Sequence, residues 1–255
     1  MIQAKKNMHK RSLQWGALLA LFVSLFAAPA LAQSLTFDLG LQDGGSTTAR
    51  IIQIILLITV LSLAPSILVM MTSFTRIVVV LSLLRSAMGT QQTPPNTVLI
   101  SLALFLTAFI MAPVFEKSYY EGILPLINEE VTEEQAIYDA AEPFHEFMLF
   151  HVREKDVELF ANMDPDLEIA TPQDTPYQVL IPAFMISELR RAFEIGFLLF
   201  VPFLIIDMLV ASVLMAMGMM MLPPVLISLP FKIIFFVLID GWYMVAGSLV
   251  RSFGV

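Results

Sequence analysis

Hydrophobic positions along this chain fall in long continuous runs separated by short polar punctuation. Apolar runs occupy Trp15–Ala27, Ile51–Thr72, Ile77–Leu84, Thr97–Val114, Ile195–Leu222 and the stretch from Pro230 to Val250. Four of these approach or exceed the roughly 20 residues needed to cross a bilayer as a helix. Between Phe115 and Ser187 the pattern changes, with sixteen acids set against only Lys117, Arg153 and Lys155, a formal charge of -13. The pattern predicts an all-α membrane protein with an acidic helical insert. Phe144, Phe147, Phe150 and Phe160 give that insert enough apolar surface to fold and pack on neighbours.

Punctuation between the runs is repeated. The stretch AMGTQQTPPNTVLISL (Ala87–Leu102) and the stretch AMGMMMLPPVLISL (Ala216–Leu229) share the frame A-M-G-x-x-x-x-P-P at an offset of 129 and then V-L-I-S-L, with Asn96-Thr97 as a two-residue insert. Glycine just past the last helical residue is the usual stop, and proline soon after it prevents continuation. Each copy therefore reads as long helix, glycine stop, Pro-Pro turn, second helix. Chain parity puts both turns on one side of the membrane, which makes the repeat parallel rather than inverted. If Ile51–Met88 is one helix kinked at Pro65, its 38 residues reach roughly 57 Å. Glu188–Met217 reaches roughly 45 Å at the same rise. Both exceed the hydrocarbon thickness of about 30 Å. Arg76, Arg85 and Lys232 fit a cytoplasmic bias of positive charge, whereas Arg50, Arg190, Arg191 and Arg251 do not. Such segments are expected to pack partly against other subunits rather than form four simple spans.

The N-terminus carries a different signal. Lys5, Lys6, Lys10 and Arg11 precede the apolar core, and Ala30-x-Ala32 offers cleavage between Ala32 and Gln33. This is the pattern of a secretory signal peptide, with an uncleaved first helix as the other reading. The expected organisation is a signal peptide (1–32), an arm (33–50), a first hairpin (51–114), an acidic extracytoplasmic domain (115–187) and a second hairpin (188–255).

Composition narrows the chemistry. With 58% hydrophobic and 14% charged residues the chain is far more apolar than a soluble domain. It has no cysteine and a net charge of -8, so thiolate chemistry is excluded and a nucleic-acid partner is not expected. His145-Glu146 and His151 do not form H-E-x-x-H, because the histidines are six apart. No phosphate loop and no set of nucleophile, base and orienter is present, so neither a metal, a cofactor nor an enzymatic activity is expected.

The remaining candidates are charges and methionines. Asp207 sits midway in an apolar run and Lys232 enters the partner helix of the same hairpin. An intramembrane carboxylate is a functional candidate; here it reads either as a proton or ion relay or as half of a pair that fixes helix register. Counted from Pro223, the two are sixteen residues before and nine after the turn, so an ideal hairpin does not set them level. Glu188 with Arg191 and Arg190 with Glu194 have helical pair spacing and can support a helix start or bridge subunits. Asp240 is a weaker candidate of the same kind. Met219, Met220 and Met221 crowd one turn. Methionine is soft and adaptable, so a ring of such turns can seal a pore, or the side chains can simply fill gaps. The other turn carries Gln91 and Gln92 before Pro94 and Pro95, and meets water or partners instead.

The stretches PAFMISELRRAFEIGFLLFVPFLIIDMLVASVLMAMGMMMLPPVLISLPFKIIFFVLIDGW and ILVMMTSFTRIVVVLSLLRSAMGTQQTPPN resemble the FliP family of flagellar type III export gate proteins. The resemblance implies a homo-oligomer, a pentamer, that winds into a cone with FliQ and FliR and forms the entrance of the channel for unfolded flagellar proteins. It implies FlhB and FlhA as neighbours and FliO as an assembly factor. The implied location is the bacterial inner membrane at the flagellar basal body, with much of the chain at or above the periplasmic side. The family's methionine gasket falls on Met219, Met220 and Met221, and its buried acid and base fall on Asp207 and Lys232. The competing functions are a proton-coupled secondary transporter using Asp207 and a purely structural assembly scaffold.

Overall fold

The computed structural model describes residues 47–90, 92–163, 169, 171–219 and 221–254. The cleavage position Ala32–Gln33, and with it Gln91 and Met220, lies outside the described residues. The chain divides into Met1–Gln53 and Ile54–Val255. Of the first unit only Thr47–Gln53, the opening of a helix, is described.

Every regular element among the described residues is helical. Helix α1 (Thr47–Met70) runs unbroken through Pro65 and exposes apolar side chains from Ile54 to Leu63. The expected kink at Pro65 is replaced by a break at Met71–Ser73, after which α2 (Phe74–Met88) begins. The reason is local. The Thr72 hydroxyl donates back to the Val69 carbonyl at 3.1 Å and accepts from the Phe74 amide, offering the backbone an alternative to the helical ladder.

After the first turn α3 (Asn96–Ile110) packs back against α2 and stops at Met111. Pro113 sits in the first turn of the next helix, α4 (Ala112–Ser118), where its missing N–H costs nothing. The two helix axes bend by 59° across this break. A π-turn (Tyr119–Ile123) leads to the short α5 (Leu124–Ile127) and then to α6 (Glu133–His151), whose N-cap is the Thr132 hydroxyl. Gly122 lies so close to α6 that a Cβ would fall 2.5 Å from Ala140.

Helix α7 (Glu154–Ala161) is fastened to the long helix that follows. Asp156 accepts from the Ser187 hydroxyl at 2.6 Å and from Arg153 at 2.7 and 2.8 Å. Burial alone would raise the Asp156 carboxyl, but these donors outweigh it and hold it below the usual carboxylate range. A single 3-10 turn (Pro172–Asp174) precedes α8 (Tyr177–Ala216), a 40-residue helix that contains Pro182 and Pro202 and is apolar and long enough to span a membrane. It begins eleven residues before Glu188, within the acidic segment, so one rod carries both polar and apolar chain.

The last two helices, α9 (Pro224–Leu238) and α10 (Gly241–Arg251), meet at a 63° bend. Asp240 there takes a left-handed conformation, φ 51°. A Cβ on the following Gly241 would lie 2.2 Å from the Phe236 ring, so only glycine lets the chain turn this tightly. The apolar core lies where α2 crosses α8. Ile77, Val80, Leu81 and Leu84 of α2 pack with Ala192 and Phe203 of α8, closed by Leu99, Phe236 and Leu249. A second cluster joins Met111, Phe144, Met148, Leu180 and Phe184.

Candidate functional site: two turns and two ion pairs

The turns are built on the same backbone device. Gly89 and Gly218 are both left-handed, with φ 77° and 74°. At the second turn the Gly218 amide donates to the Met215 carbonyl and the Met219 amide to the Leu214 carbonyl, each at 3.0 Å. That is the complete Schellman pair, and it satisfies the carbonyls that the end of α8 would otherwise leave open. Met219 is 40% exposed and Met221 98% exposed. At the first turn the Gly89 amide makes the equivalent short bond to Ser86, and the Thr90 hydroxyl reaches the Arg85 carbonyl. Arg85 then spans the turn, donating to the Pro94 carbonyl at 3.3 Å and to the Asn96 side chain. Asn96 belongs to the two-residue insert, so the insert supplies the partner that pins this turn. Gln92 and Pro95 are exposed beside it and Pro94 is half-buried.

Asp207 and Lys232 meet within one chain. Lys232 Nζ lies 2.6 Å from Asp207 Oδ2, with Lys232 4% and Asp207 32% exposed. The level is set by the helix ends rather than by the prolines. Asp207 lies nine residues before the end of α8 at Ala216, and Lys232 lies eight after the start of α9 at Pro224. The loop between absorbs the mismatch. Ser228, one turn before Lys232 on α9, donates to the other carboxylate oxygen of Asp207. Lys232 also donates to the Ala87 carbonyl at 3.2 Å. Its ammonium therefore sits at the C-terminal end of α2, where a cation is favoured by the helix dipole. The acid of the second hairpin is thereby tied, through one lysine, to the last turn of the helix that enters the first turn.

Glu188 has a different partner from the expected Arg191. It accepts from Arg76 Nε at 2.7 Å and from Nη2, and both side chains are fully enclosed. The correction has a geometric cause. Glu188 faces the α2–α8 crossing with Ala192, whereas Arg191 is only half-buried. Arg190 and Glu194 do pair, at 2.8 Å on the exposed side of α8. Arg76 completes its fork on Ser252, donating to the carbonyl at 3.0 Å and the hydroxyl at 2.9 Å. The Phe253 ring lies 3.6 Å beneath the guanidinium, close enough for a cation–π contact. Arg76 and Ser252 are the residues that sequence reasoning missed. They are 176 positions apart and each looks unremarkable alone, so no local pattern in the sequence marks them.

Among the described residues no three His, Asp or Glu side chains converge to hold a metal ion. His145 instead fastens the loop before α8, its Nε2 lying 2.7 Å from the Thr175 carbonyl. An apolar groove of about 400 Å³ opens along the α2–α8 crossing, lined by Leu83, Phe193, Phe197, Phe200 and Leu204 around Gly196.

Comparison with known proteins covers both turns and both ion pairs. The profile of the FliP family matches residues 57–249. A flagellar biosynthetic protein FliP from Caulobacter vibrioides is 56% identical over 99% of this chain and 94% of its own length. Proteins of the same name from Agrobacterium fabrum and Bacillus subtilis are 51% and 55% identical, over 90% and 79% of this chain and 96% and 91% of theirs.

Proposed function

This chain belongs to the FliP family, and from that premise we propose that it is a core subunit of the flagellar type III protein export gate. Copies of the chain, a pentamer, close with FliQ and FliR around the channel through which unfolded flagellar proteins pass. FlhB and FlhA adjoin it and FliO assists its assembly. The chain sits in the bacterial inner membrane at the flagellar basal body. Its two hairpins are the halves of a parallel repeat, and the acidic segment between them faces the periplasm.

One observation carries the reading. Met221 projects from the second turn with 98% exposure, and Met219 beside it is 40% exposed. A flexible apolar side chain offered wholly to its surroundings gains nothing from water and gains contact only when other chains bring up similar side chains. A closed ring of such turns makes a soft apolar collar that blocks ions and yields to a passing polypeptide. The apolar groove at the α2–α8 crossing and the exposed aromatic side chains Phe193 and Phe197 supply surface for neighbouring copies. The Asp207 carboxylate has both oxygens engaged, by Ser228 and Lys232, which supports a structural pair over a proton relay.

The test is ionic conductance across membranes carrying the assembled complex. Alanine at Met219, Met220 and Met221 together is expected to make closed complexes leak small ions while assembly is retained. Unchanged conductance in a correctly assembled triple variant overturns the collar. Asp207→Asn is expected to impair assembly; normal assembly with transport abolished would restore the relay.

A further inference from the structure

His151 closes α6 in a setting that the export reading does not use. The residue is 4% exposed. Its Nδ1 lies 2.8 Å from the Phe147 carbonyl; a carbonyl only accepts, so Nδ1 carries the proton and Nε2 is the bare nitrogen of a neutral ring. Nε2 is enclosed and has no hydrogen-bond partner. Three aromatic rings surround the imidazole, with centroids at 4.5 Å (Phe147), 5.1 Å (Phe150) and 5.2 Å (Phe253). The Phe253 ring is the same one that carries the Arg76 guanidinium. Phe253 thus touches both a permanent cation and a neutral imidazole.

The charges around His151 leave no place for another cation. Arg76 faces it from α2 and Arg191 from α8. Glu188 of α8 is committed to Arg76 on both carboxylate oxygens. Lys117 of α4 and Glu146 of α6 line the shallow cleft that His151 also borders, and they are paired with each other at 2.5 Å. The segment after α10 brings the Phe253 ring and carbonyl but no ionisable side chain. Burial is the largest influence on the imidazole and pushes it below the ordinary histidine range. The two arginines add to this, and the Phe147 and Phe253 carbonyls oppose it without prevailing.

We propose that His151 is a pH-sensitive latch on the C-terminal residues: neutral, it packs on the Phe253 ring beside Arg76; protonated, it is a further buried cation beside Arg76 and Arg191, and relief of that burial and repulsion releases Ser252 and Phe253 from the Arg76–Glu188 pair. The sign follows from linkage. The unfolded chain binds the proton more readily than the folded one, so the latch is complete above the ordinary histidine value of about 6.5 and is lost as pH falls below it. This holds whatever passes through the assembled protein, because it rests on contacts within one chain.

Hydrogen exchange of the full-length protein in detergent reads the latch directly. The amides of Ser252, Phe253 and Gly254 are bonded to Ser248, Val250 and Arg251. Their protection, corrected for intrinsic exchange, is expected to fall by about fivefold or more between pH values of about 7.5 and 5. In His151→Gln, which keeps a neutral hydrogen-bonding side chain, protection is expected to be equal at both values. In Phe253→Leu it is expected to be low at both. Equal protection in the wild-type protein at both values, or the same acid loss in His151→Gln, overturns the proposal. If the glutamine variant does not fold, the imidazole titration followed by NMR decides: its midpoint must coincide with the loss of protection, and a separation greater than about one pH unit overturns the latch.

Discussion

The two glycine turns begin alike and end in opposite surroundings. Gly89 and Gly218 share a left-handed backbone within a few degrees. From there the first turn is bolted down by side chains. Arg85 grips Pro94 and Asn96, the Thr90 hydroxyl covers the Arg85 carbonyl, and Lys232 of another helix sits on Ala87. Among its described residues the second is held by backbone hydrogen bonds, with none from a side chain. The same helix stop therefore serves two purposes. One copy is a fixed corner of the chain, and the other is a platform that presents Met219 and Met221 outward.

The largest expected effect comes from removing the bolt that the two hairpins share. Lys232→Met should destabilise the chain by about 2–3 kcal/mol, below the ~3–5 kcal/mol of a fully enclosed pair because Asp207 keeps some access to its surroundings. Unfolding in detergent, followed by circular dichroism, measures it. Combining the change with Asp207→Asn should recover part of the loss, since no lone charge remains. If Lys232→Met alone is neutral, the first turn is not anchored through the second hairpin and the contrast between the turns fails at its strongest point.

A substitution that acts on the shared device should treat both turns equally. Alanine at Gly89 or Gly218 places a Cβ on a left-handed residue, at a cost of about 1–2 kcal/mol each. Gly218 has open space around that Cβ, and Gly89 has only ordinary contacts at 3.9 Å to Leu229 and Lys232. Matching losses for the two variants support a common helix stop. A difference above about 1 kcal/mol would mean that one glycine serves packing rather than conformation.

Those glycines also mark how far the sequence could be read. The stops at Gly89 and Gly218, the prolines after them and the long apolar helices are local properties, set within a few residues, and they stand in the sequence. The break at Thr72 was read instead at Pro65, because a proline breaks a helix by rule whereas a threonine does so only where its hydroxyl finds the Val69 carbonyl. Proline at 182 and 202 is likewise accommodated inside α8. The Asp207–Lys232 register looked mismatched because it was counted from Pro223 instead of from the helix ends. Arg76–Glu188 was not legible at all. Its partners are 112 residues apart, and the nearer Arg191 satisfied the helical spacing rule but is only half-buried, whereas Arg76 is fully enclosed with Glu188. Burial, not spacing, chose the partner.

A smaller change sharpens the first turn. Asn96→Ala removes the side chain that Arg85 grips on the exposed surface. The loss should be only about 0.5–1 kcal/mol, since both groups can return to water. Proteolytic nicking between Thr90 and Asn96 should nevertheless become faster, because local opening no longer has to break that bond. Unchanged nicking would mean that the backbone, not the insert, fixes this turn.

The smallest effect is the most discriminating. Met219→Ala and Met221→Ala, together, should change the stability of the isolated chain by less than about 0.5 kcal/mol, as expected of surface positions. The reason lies in where the methionines point. Met221 is almost wholly exposed and Met219 nearly half so, so truncation removes little contact that the folded chain possesses and the unfolded chain lacks. Had the three methionines been gap fillers between α8 and α9, each truncation would open a cavity and cost about 2–5 kcal/mol. Chemical denaturation of the purified chain therefore separates the two roles before any assembly is attempted. A near-zero change sends the effect of these side chains outside the chain, to whatever surrounds the second turn. A loss of 2 kcal/mol or more, by the same rule, would place them in a core, and the two turns would then differ in composition but not in purpose.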